Sequence, residues 1–266
     1  MNASVTLPPE ILDNILEQIP TTNDRRPTLI ACALVATRWT GPSQRRLFSS
    51  VDIHERNYER WMNGAVLSGS KARLLEHVRS MWHSGVGCKG IEYRMQDLTW
   101  DSREYFPALR NLRSLTFFKV RIEHVGEEEF CRCFSAFRET LTHLSLYSFT
   151  TSFSAFTALI DHFPNVTTLR LDSFKLEPES GPVPPLSRPL RGKLHVYDVS
   201  PDCLEFLNRF VELDLEYEEL VLDSSCTSME TEFVESALQI SASTVKFLRL
   251  TAELCPRREL PLFTIQ

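Results

Sequence analysis

One segment of the sequence has the glycine spacing that could bind the phosphates of a dinucleotide. Gly85, Gly87 and Gly90 fit the pattern G-x-G-x-x-G, in which the backbone approaches a pyrophosphate at the start of a helix. Such a site needs a buried apolar strand before the glycines and a ribose-binding carboxylate about 20 residues later. The preceding residues include Arg79 and Ser80, and no acidic residue stands at a suitable position. We therefore interpret the segment as a turn and expect no bound cofactor.

The other reactive side chains form no catalytic or metal-binding pattern. G-x-S-x-G, Walker and H-E-x-x-H motifs are absent, and the seven histidines never stand four residues apart, as ligands on one helix face do. Cys131 and Cys133 are the only close pair among seven cysteines, and no Cys/His cluster has zinc spacing. We expect no catalytic site, no metal site, and free thiols in a reducing compartment.

The composition indicates a globular protein and disfavours two classes of partner. The chain has 266 residues, of which 42% are hydrophobic and 24% charged, with a formal net charge of −6. Its longest apolar run, at 29–36, has eight residues, whereas roughly 20 are needed to cross a bilayer. Residues 1–20 have no basic-then-apolar leader, so we expect no secretory signal and a cytoplasmic and/or nuclear location. The acidic balance disfavours phosphate contacts, so neither nucleic acid nor membrane is expected as a partner.

The first fifty residues carry the strongest local pattern, which predicts three short helices. A pair of prolines suits the start of the first helix, and apolar residues recur at helical spacing through 11–19. A second helix is expected over 27–40, and Gly41-Pro42 should break the chain before a short third helix. The apolar stripe of the first helix is wider than one packing seam requires. We infer that part of this surface is covered by another chain.

These residues resemble an F-box of the kind common in fungal proteins. The resemblance rests on LPPEIL at 7–12, IL at 15–16, CALVATRW at 32–39 and RRLF at 45–48. It implies that residues 5–50 are an adaptor-binding domain, which docks on a Skp1-like adaptor and thereby joins a cullin-RING ubiquitin ligase. By position, the residues expected to face the adaptor are Leu7, Pro8, Ile11, Leu12, Ile15, Leu16, Leu34, Val35 and Trp39. The alternative is that these helices only cap the domain that follows.

A second pattern, L-x-x-L-x-L with two looser copies, recurs through the rest of the chain. Its central residues are 115, 144, 169, 194, 220 and 248, at intervals of 29, 25, 25, 26 and 28 residues. Helical patterns lie between the copies, at 127–137, 153–163, 200–210 and 233–238. Strand and helix alternating at a constant period predict a parallel sheet with helices on its outer face. The expected fold is an α/β solenoid, with residues 51–266 as one repeat domain.

The repeats resemble the leucine-rich-repeat domains that often follow an F-box, which implies a horseshoe with parallel strands and outer helices. The Asn or Cys that usually follows each strand in such repeats is not regular here. Weaker leading repeats are expected, with strands at Val51/Ile53 and Val78/Met81 and a helix over 58–65. The Pro-rich segment 177–189 replaces one helix; we interpret it as a solvated spacer, with a partner-contacting loop as the alternative.

Side chains that alternate with the core leucines are expected on the concave face of the sheet. The position after the last core residue reads Phe118, Tyr147, Asp172, Tyr197, Asp223 and Thr251 from repeat to repeat, and the position between core residues reads Thr116, Ser145, Arg170, His195, Val221 and Arg249. Aromatic residues dominate interface hot spots, although Phe and Tyr also simply suit strands. The candidate substrate-binding residues are Phe118, Tyr147, Arg170, Asp172, His195, Tyr197, Asp223 and Arg249.

Together these patterns predict a non-catalytic protein with two interfaces. The resemblance implies a substrate-recognition adaptor of a Skp1-cullin-F-box type ubiquitin ligase, which holds a protein substrate near the ligase. The alternative is an interaction scaffold without a ligase, in which the helices only cap the repeats. A third class, an enzyme that uses the Gly85–Gly90 loop, would be revealed by thermal stabilisation on adding a cofactor.

Overall fold

Helices precede a parallel sheet in the part of the chain that the structure describes. A computed structural model describes residues 7–19, 25–35, 37–53, 75–84, 109–120, 134–177, 186–198, 215–224 and 245–252. Its helices are α1 (Pro9–Glu17), α2 (Arg25–Val35), α3 (Thr37–Leu47) and α4 (Phe153–His162), with one 3-10 turn at Ser135–Phe137. Among these residues no helix is both long and apolar enough to span a membrane.

The main sheet contains eight of the described strands, which lie side by side in the order in which they occur along the chain. The strands are β1 (Ser50–Ile53), β2 (Ser80–Ser84), β3 (Ser114–Phe118), β4 (His143–Tyr147), β5 (Thr150–Thr151), β6 (Thr168–Asp172), β7 (Lys175–Leu176), β8 (Leu190–Tyr197), β9 (Leu215–Ser224) and β10 (Phe247–Ala252). The order in the main sheet is β1-β2-β3-β4-β6-β8-β9-β10, with every pair parallel, and β5 pairs with β7 in a second small sheet. Such sequential parallel pairing makes the chain a solenoid of strands and helices, which confirms the predicted α/β solenoid.

The predicted central residues of the repeats lie side by side in the core. Leu115, Leu144, Leu169, Leu194, Leu220 and Leu248 are consecutive partners in the register of the sheet. All are buried except Leu248, which packs partly buried against the same core. Because side chains alternate between the two faces of a strand, this register places every second residue of each strand on the open face.

Helix α4 covers part of this core, as its apolar spacing predicts. Phe153, Phe156, Leu159 and Ile160 are buried in the same cluster as the strand leucines. The helix begins at a Ser152 cap, whose hydroxyl oxygen accepts a hydrogen bond from the Ala155 N–H at 3.2 Å. The end of the Pro-rich segment is fastened to this helix, because Ser187 donates from both its N–H and its hydroxyl to Asp161.

Each repeat starts its strand by hydrogen bonding to the repeat before it. The carbonyl of Ser49 accepts from the N–H groups of both Arg79 and Ser80, at 2.8 and 3.0 Å. The carbonyls of Arg79, Arg113 and Thr142 accept in the same way from the next pair of N–H groups along the solenoid. This repetition satisfies polar backbone groups at a point where strand pairing has not yet begun.

Four strands of the main sheet, β3, β4, β6 and β8, are each followed by a residue with left-handed backbone conformation. Lys119, Ser148, Ser173 and Asp198 have φ angles of 55°, 46°, 49° and 52°, a conformation that non-glycine residues adopt at some cost in strain. The N–H groups of the first three donate to the carbonyl of the last residue of the next strand in the main sheet, and that of Asp198 donates to Asp223, one residue before the end of β9, over 2.7–3.2 Å. After the first three of these strands the chain then turns inward, to a buried residue.

The inward turn buries an apolar side chain where leucine-rich repeats usually have Asn or Cys. The residues at this position are Val120, Phe149 and Phe174, all buried. The rings of Phe149 and Phe174 are stacked, with centroids 6.2 Å apart and planes 5° apart. Backbone groups bond across the turns, because Thr150 N–H donates to Val120 O and Lys175 N–H donates to Phe149 O. These backbone hydrogen bonds join adjacent turns without a side-chain amide.

Three boundaries predicted from the sequence are wrong. The second helix ends at Val35 rather than near Thr40, and α3 continues through Gly41 and Pro42 instead of breaking there. Pro42 removes one intrahelical hydrogen bond, but its side chain is buried, so packing compensates. Strand β2 begins at Ser80, which leaves Val78 buried in the turn before it.

Several sequence-based expectations lie outside the described residues. They are the glycine-rich segment at 85–90, the helices over 58–65, 200–210 and 233–238, the first part of the helix over 127–137, residues 178–185 of the Pro-rich segment, and every cysteine except Cys32.

Candidate functional site

The register of the sheet arranges the predicted substrate residues in two rows on one face. The first row runs Phe118, Tyr147, Asp172, Tyr197 and Asp223, and the second runs Ser145, Arg170, His195, Val221 and Arg249. The eight residues assigned to substrate binding are all partly or fully exposed. The alternation of the strands therefore brings them together on the open face.

An arginine held between two tyrosines is the centre of this face. The Arg170 guanidinium carbon lies 4.9 Å from the ring centroid of Tyr147 and 4.2 Å from that of Tyr197, both within cation–π range. Its Nη2 also donates to Asp172 Oδ2 at 3.4 Å. Burial raises the pKa of Tyr147, and Arg170 acts in the opposite direction, so the phenol is neutral at physiological pH. The two rings hold the guanidinium plane in one place.

Trp82 extends the stacking towards the first strands. Its ring lies 5.5 Å from that of Tyr147, with planes 27° apart, and 5.7 Å from that of Phe118. Thr116 lies between Trp82 and β4 in the register and is buried, so the indole reaches across β3. We call Trp82, Phe118, Tyr147, Arg170 and Tyr197 the stacked row.

A charged cluster lies beside the stacked row. The Glu219 carboxylate contacts Lys193 Nζ at 2.5 Å and His195 Nε2 at 3.1 Å. The hydrogen bond from Lys193 lowers the pKa of Glu219, partly opposed by burial, and the bond from His195 lowers it further. His195 also meets Tyr197 edge to face, with centroids 6.3 Å apart. Lys193 and His195 thus both have Glu219 as a partner within the chain.

Sequence reasoning missed three residues of this face, namely Trp82, Lys193 and Glu219. Trp82 occupies the same position between core residues as Thr116 and Ser145. Trp82 would have been found by reading the position between core residues in one earlier repeat, the one with the predicted strand at Val78/Met81. Lys193 and Glu219 each stand directly before a central leucine, Leu194 and Leu220, and pair in the same register, so aligning the position before the central residue would have found both.

The helices present a second surface, made of apolar side chains. Leu34 and Val35 are 81% and 77% exposed, at the end of α2. Leu7, Ile11, Ile15 and Ile30 are also exposed, as is Pro8. We call Leu7, Ile11, Ile15, Ile30, Leu34 and Val35 the apolar helix face. Five of its six members are among the predicted adaptor-facing residues, and Ile30 is the addition.

Two predicted adaptor-facing residues lie elsewhere. Leu12 and Leu16 are only 2% and 0% exposed, so their side chains are covered by the chain's own residues and are not open for contact. Trp39 is half-buried. Ion pairs join α1 to α3 on the same side, from Arg45 to Asp13 at 2.9 Å and from Arg46 to Glu17 at 3.4 Å. This side of α1 therefore contacts α3 and is not available to a partner.

The described groups are suited to binding. The stacked row offers π-faces and one fixed guanidinium, the charged cluster offers ion pairing, and the apolar helix face offers hydrophobic contact. Within the described ranges, no group of three or more His, Cys, Asp and Glu side chains could hold a metal ion. Comparison with known proteins gives no assignment, because no protein family and no curated protein matches the chain.

Proposed function

We propose that the protein is a substrate-recognition adaptor of a Skp1-cullin-F-box type ubiquitin ligase. The observation that carries the proposal is the apolar helix face. Large aliphatic side chains exposed on successive turns of a helix favour an interaction site. Ile11 and Ile15 are exposed in this way on α1, and Ile30 and Leu34 on α2, in the segment whose sequence resembles an F-box. A segment that only capped the repeats would turn its apolar side inward, and Leu34 and Val35 are largely exposed.

The repeat half of the proposal is a leucine-rich-repeat horseshoe that binds the protein substrate. The parallel register of leucines at intervals of 25–29 residues supports it. The open face of the sheet carries the stacked row, and aromatic and Arg side chains are the residues most enriched among interface hot spots. The chain then acts by proximity, because two binding surfaces on one body raise the local concentration of the substrate near the ligase. A cytoplasmic and/or nuclear location belongs to this proposal.

The first test changes the apolar helix face. We expect Leu34→Glu to weaken binding to a Skp1-like adaptor by at least about thirtyfold, because docking would bury an unpaired carboxylate. The melting temperature should not change, since the Leu34 side chain is 81% exposed. Affinity is measured by calorimetric titration of the purified full chain with the purified adaptor.

Thr167→Glu is the matched control for this test. It adds the same charge at an exposed position beside the sheet, and adaptor binding should be unchanged. Full adaptor affinity in Leu34→Glu would contradict the proposal. No binding by the wild-type chain would favour the alternative, an interaction scaffold without a ligase.

The second test changes the substrate side. We expect Tyr147→Ala combined with Tyr197→Ala to reduce substrate capture at least tenfold, because both rings and the Arg170 they hold are lost from the face. Adaptor binding and melting temperature should stay as in the wild type. Quantitative mass spectrometry of proteins retained by immobilised wild-type and variant chains measures the capture, with bound adaptor as the internal standard. A parallel loss of folding would show instead that the tyrosines are structural.

A further inference from the structure

The first turn of α2 carries a short basic motif that belongs to neither binding surface. Arg25, Arg26, Pro27 and Thr28 read R-R-P-T, and the pattern R-R-x-S/T occurs once in the chain. A hydroxyl that follows two arginines at this spacing suits a protein kinase with an acidic substrate groove, because carboxylates of the kinase pair with both guanidinium groups. The motif therefore makes Thr28 a candidate acceptor of a phosphoryl group.

The structure leaves this turn accessible to an enzyme. Arg26, Pro27 and Thr28 are exposed and Arg25 is half-buried, and no buried side chain precedes Leu29 within α2. The N–H groups in the first turn of a helix have no partner within that helix, so a terminal turn opens at lower cost than an inner one. A kinase can therefore bind residues 25–28 in an extended conformation without exposing Leu29.

Ser49 provides a contrast, since it also has an arginine, Arg46, three residues before it. The Ser49 hydroxyl donates to the Arg46 carbonyl at 2.8 Å, and the Ser49 carbonyl accepts from the N–H groups of Arg79 and Ser80. Arg46 is itself paired with Glu17 at 3.4 Å. An enzyme would have to break these contacts to reach Ser49, so the structure favours Thr28 as the acceptor.

Thr28 lies beside the apolar helix face. It stands three residues before Ala31 and seven before Val35, a spacing that places the three side chains on one side of a helix. All three are exposed, and seven residues of helix span about 10 Å. A group added to Thr28 therefore stands at the edge of the surface that is proposed to meet the adaptor.

We propose that Thr28 is phosphorylated by a kinase that recognises basic residues, and that the phosphate weakens docking of the adaptor on the apolar helix face. The effect on docking rests on the proposed function, whereas the modification itself does not. In the reaction Thr28 Oγ1 attacks the γ-phosphorus of ATP, its proton passes to the catalytic carboxylate of the kinase, and the bond from this phosphorus to the bridging oxygen breaks as ADP leaves.

The phosphate changes the charge at this edge but should not unfold the helix. It carries about −1.5 to −2 charges at pH 7, and docking would bring an apolar surface close to this charge. Arg25 stands one turn before Thr28, where its guanidinium can pair with the phosphate. The expected result is a folded α2 with a lower affinity for the adaptor.

The first measurement is the uptake of phosphate by the folded full chain. The chain is incubated with ATP, Mg²⁺ and the catalytic subunit of the cAMP-dependent protein kinase, and mass spectrometry identifies the modified residues. We expect modification of Thr28 in the wild type and its loss in Thr28→Val. Arg25→Gln combined with Arg26→Gln should lower the initial rate at least about tenfold. Ser49→Ala is the matched control and should be modified like the wild type.

The second measurement is the affinity of the phosphorylated chain for a purified Skp1-like adaptor, by calorimetric titration. We expect it to bind at least about tenfold more weakly than the unmodified chain, and treatment with a phosphatase should restore the affinity. Thr28→Val carried through the same kinase reaction is the control and should bind like the unmodified wild type. Thermal unfolding of each sample reports folding, and the arginine variants keep the test decisive if Thr28→Val unfolds.

The inference and the proposed function fail separately. A folded wild-type chain that takes up no phosphate on Thr28, or takes it up on Ser49 instead, would overturn the site. Phosphate on Thr28 with unchanged adaptor affinity would overturn the effect on docking. A wild-type chain that is phosphorylated on Thr28 but binds no adaptor would confirm the site and overturn the ligase assignment.

Discussion

We expect Phe149→Ala to lower the free energy of unfolding by about 4 kcal/mol, the loss typical of truncating a fully buried Phe. Phe149 is 0% exposed, and its ring contacts the rings of both Phe117 and Phe174. Water that entered the space left by the Phe149 ring would therefore contact both of these rings. The change also leaves a cavity in a place that the backbone bonds of two adjacent turns hold open. The loss should appear as a lower urea midpoint with the slope of the transition unchanged.

Phe247→Ala is the matched control, because it removes the same side chain from the same sheet at an exposed position, where Phe247 is 53% exposed. We expect a cost below about 1 kcal/mol. Phe149→Asn introduces the residue type that leucine-rich repeats usually have at such a position, and it should destabilise as much as alanine. Its amide would find the Val120 carbonyl of the preceding turn already bonded to Thr150 N–H. Equal losses at positions 149 and 247, or a stable Asn variant, would contradict the stacked Phe core.

The second large effect is expected at Gly192, where we predict that Gly192→Ala destabilises the chain by about 3 kcal/mol. The residue has a φ of 94°, and a Cβ built on it would lie 2.2 Å from the Thr167 carbonyl oxygen. That oxygen cannot retreat freely, because it accepts the hydrogen bond of Lys193 N–H at 2.8 Å. We also expect the alanine variant to lose the register shift between Gly192 and Lys193, where β8 pairs with β9.

Gly41→Ala provides the control of opposite sign. Gly41 lies inside α3, and a Cβ there would meet only Arg45 Nη1, at 3.9 Å. Alanine at a helical position with space is expected to stabilise by up to about 1 kcal/mol. Denaturant midpoints of the two variants should therefore move in opposite directions. A Gly192→Ala chain as stable as the wild type would show that the backbone at Gly192 can adopt another conformation.

The strand positions could be predicted from the sequence because a buried strand needs apolar residues at alternate positions, and the copies around Leu115, Leu144 and Leu169 repeat at a nearly constant interval. The open face followed from the same alternation. What lay beyond prediction depends on contacts between segments distant in the sequence. The position of Trp82 on the open face follows from the alternation within its strand, but the contact of its ring with Tyr147 across β3 is not reported by any local pattern.

The helical unit shows the same division between local and distant information. The apolar spacing of α1 predicts the helix, but it does not say which of two adjacent apolar sides faces inward. In the structure Leu12 and Leu16 are the buried ones, and the ion pairs of Arg45 with Asp13 and of Arg46 with Glu17 join the same helix to α3, which are contacts with residues about 30 positions away. The prediction that the helix breaks at Gly41-Pro42 is wrong for a related reason. Pro42 is buried within α3, and this packing outweighs the tendency of proline to end a helix.

Ser49 has a consequence for how the helices are joined to the sheet. Helix α3 ends at Leu47 and β1 begins at Ser50. Between them the Ser49 hydroxyl donates to the Arg46 carbonyl at 2.8 Å, while the Ser49 carbonyl accepts from Arg79 and Ser80. One residue is thus bonded to the end of the helix and to the second strand at once. These hydrogen bonds leave no flexible linker between α3 and β1 about which the helix could rotate. The distance from α3 to the first strands is therefore fixed by the hydrogen-bonded backbone.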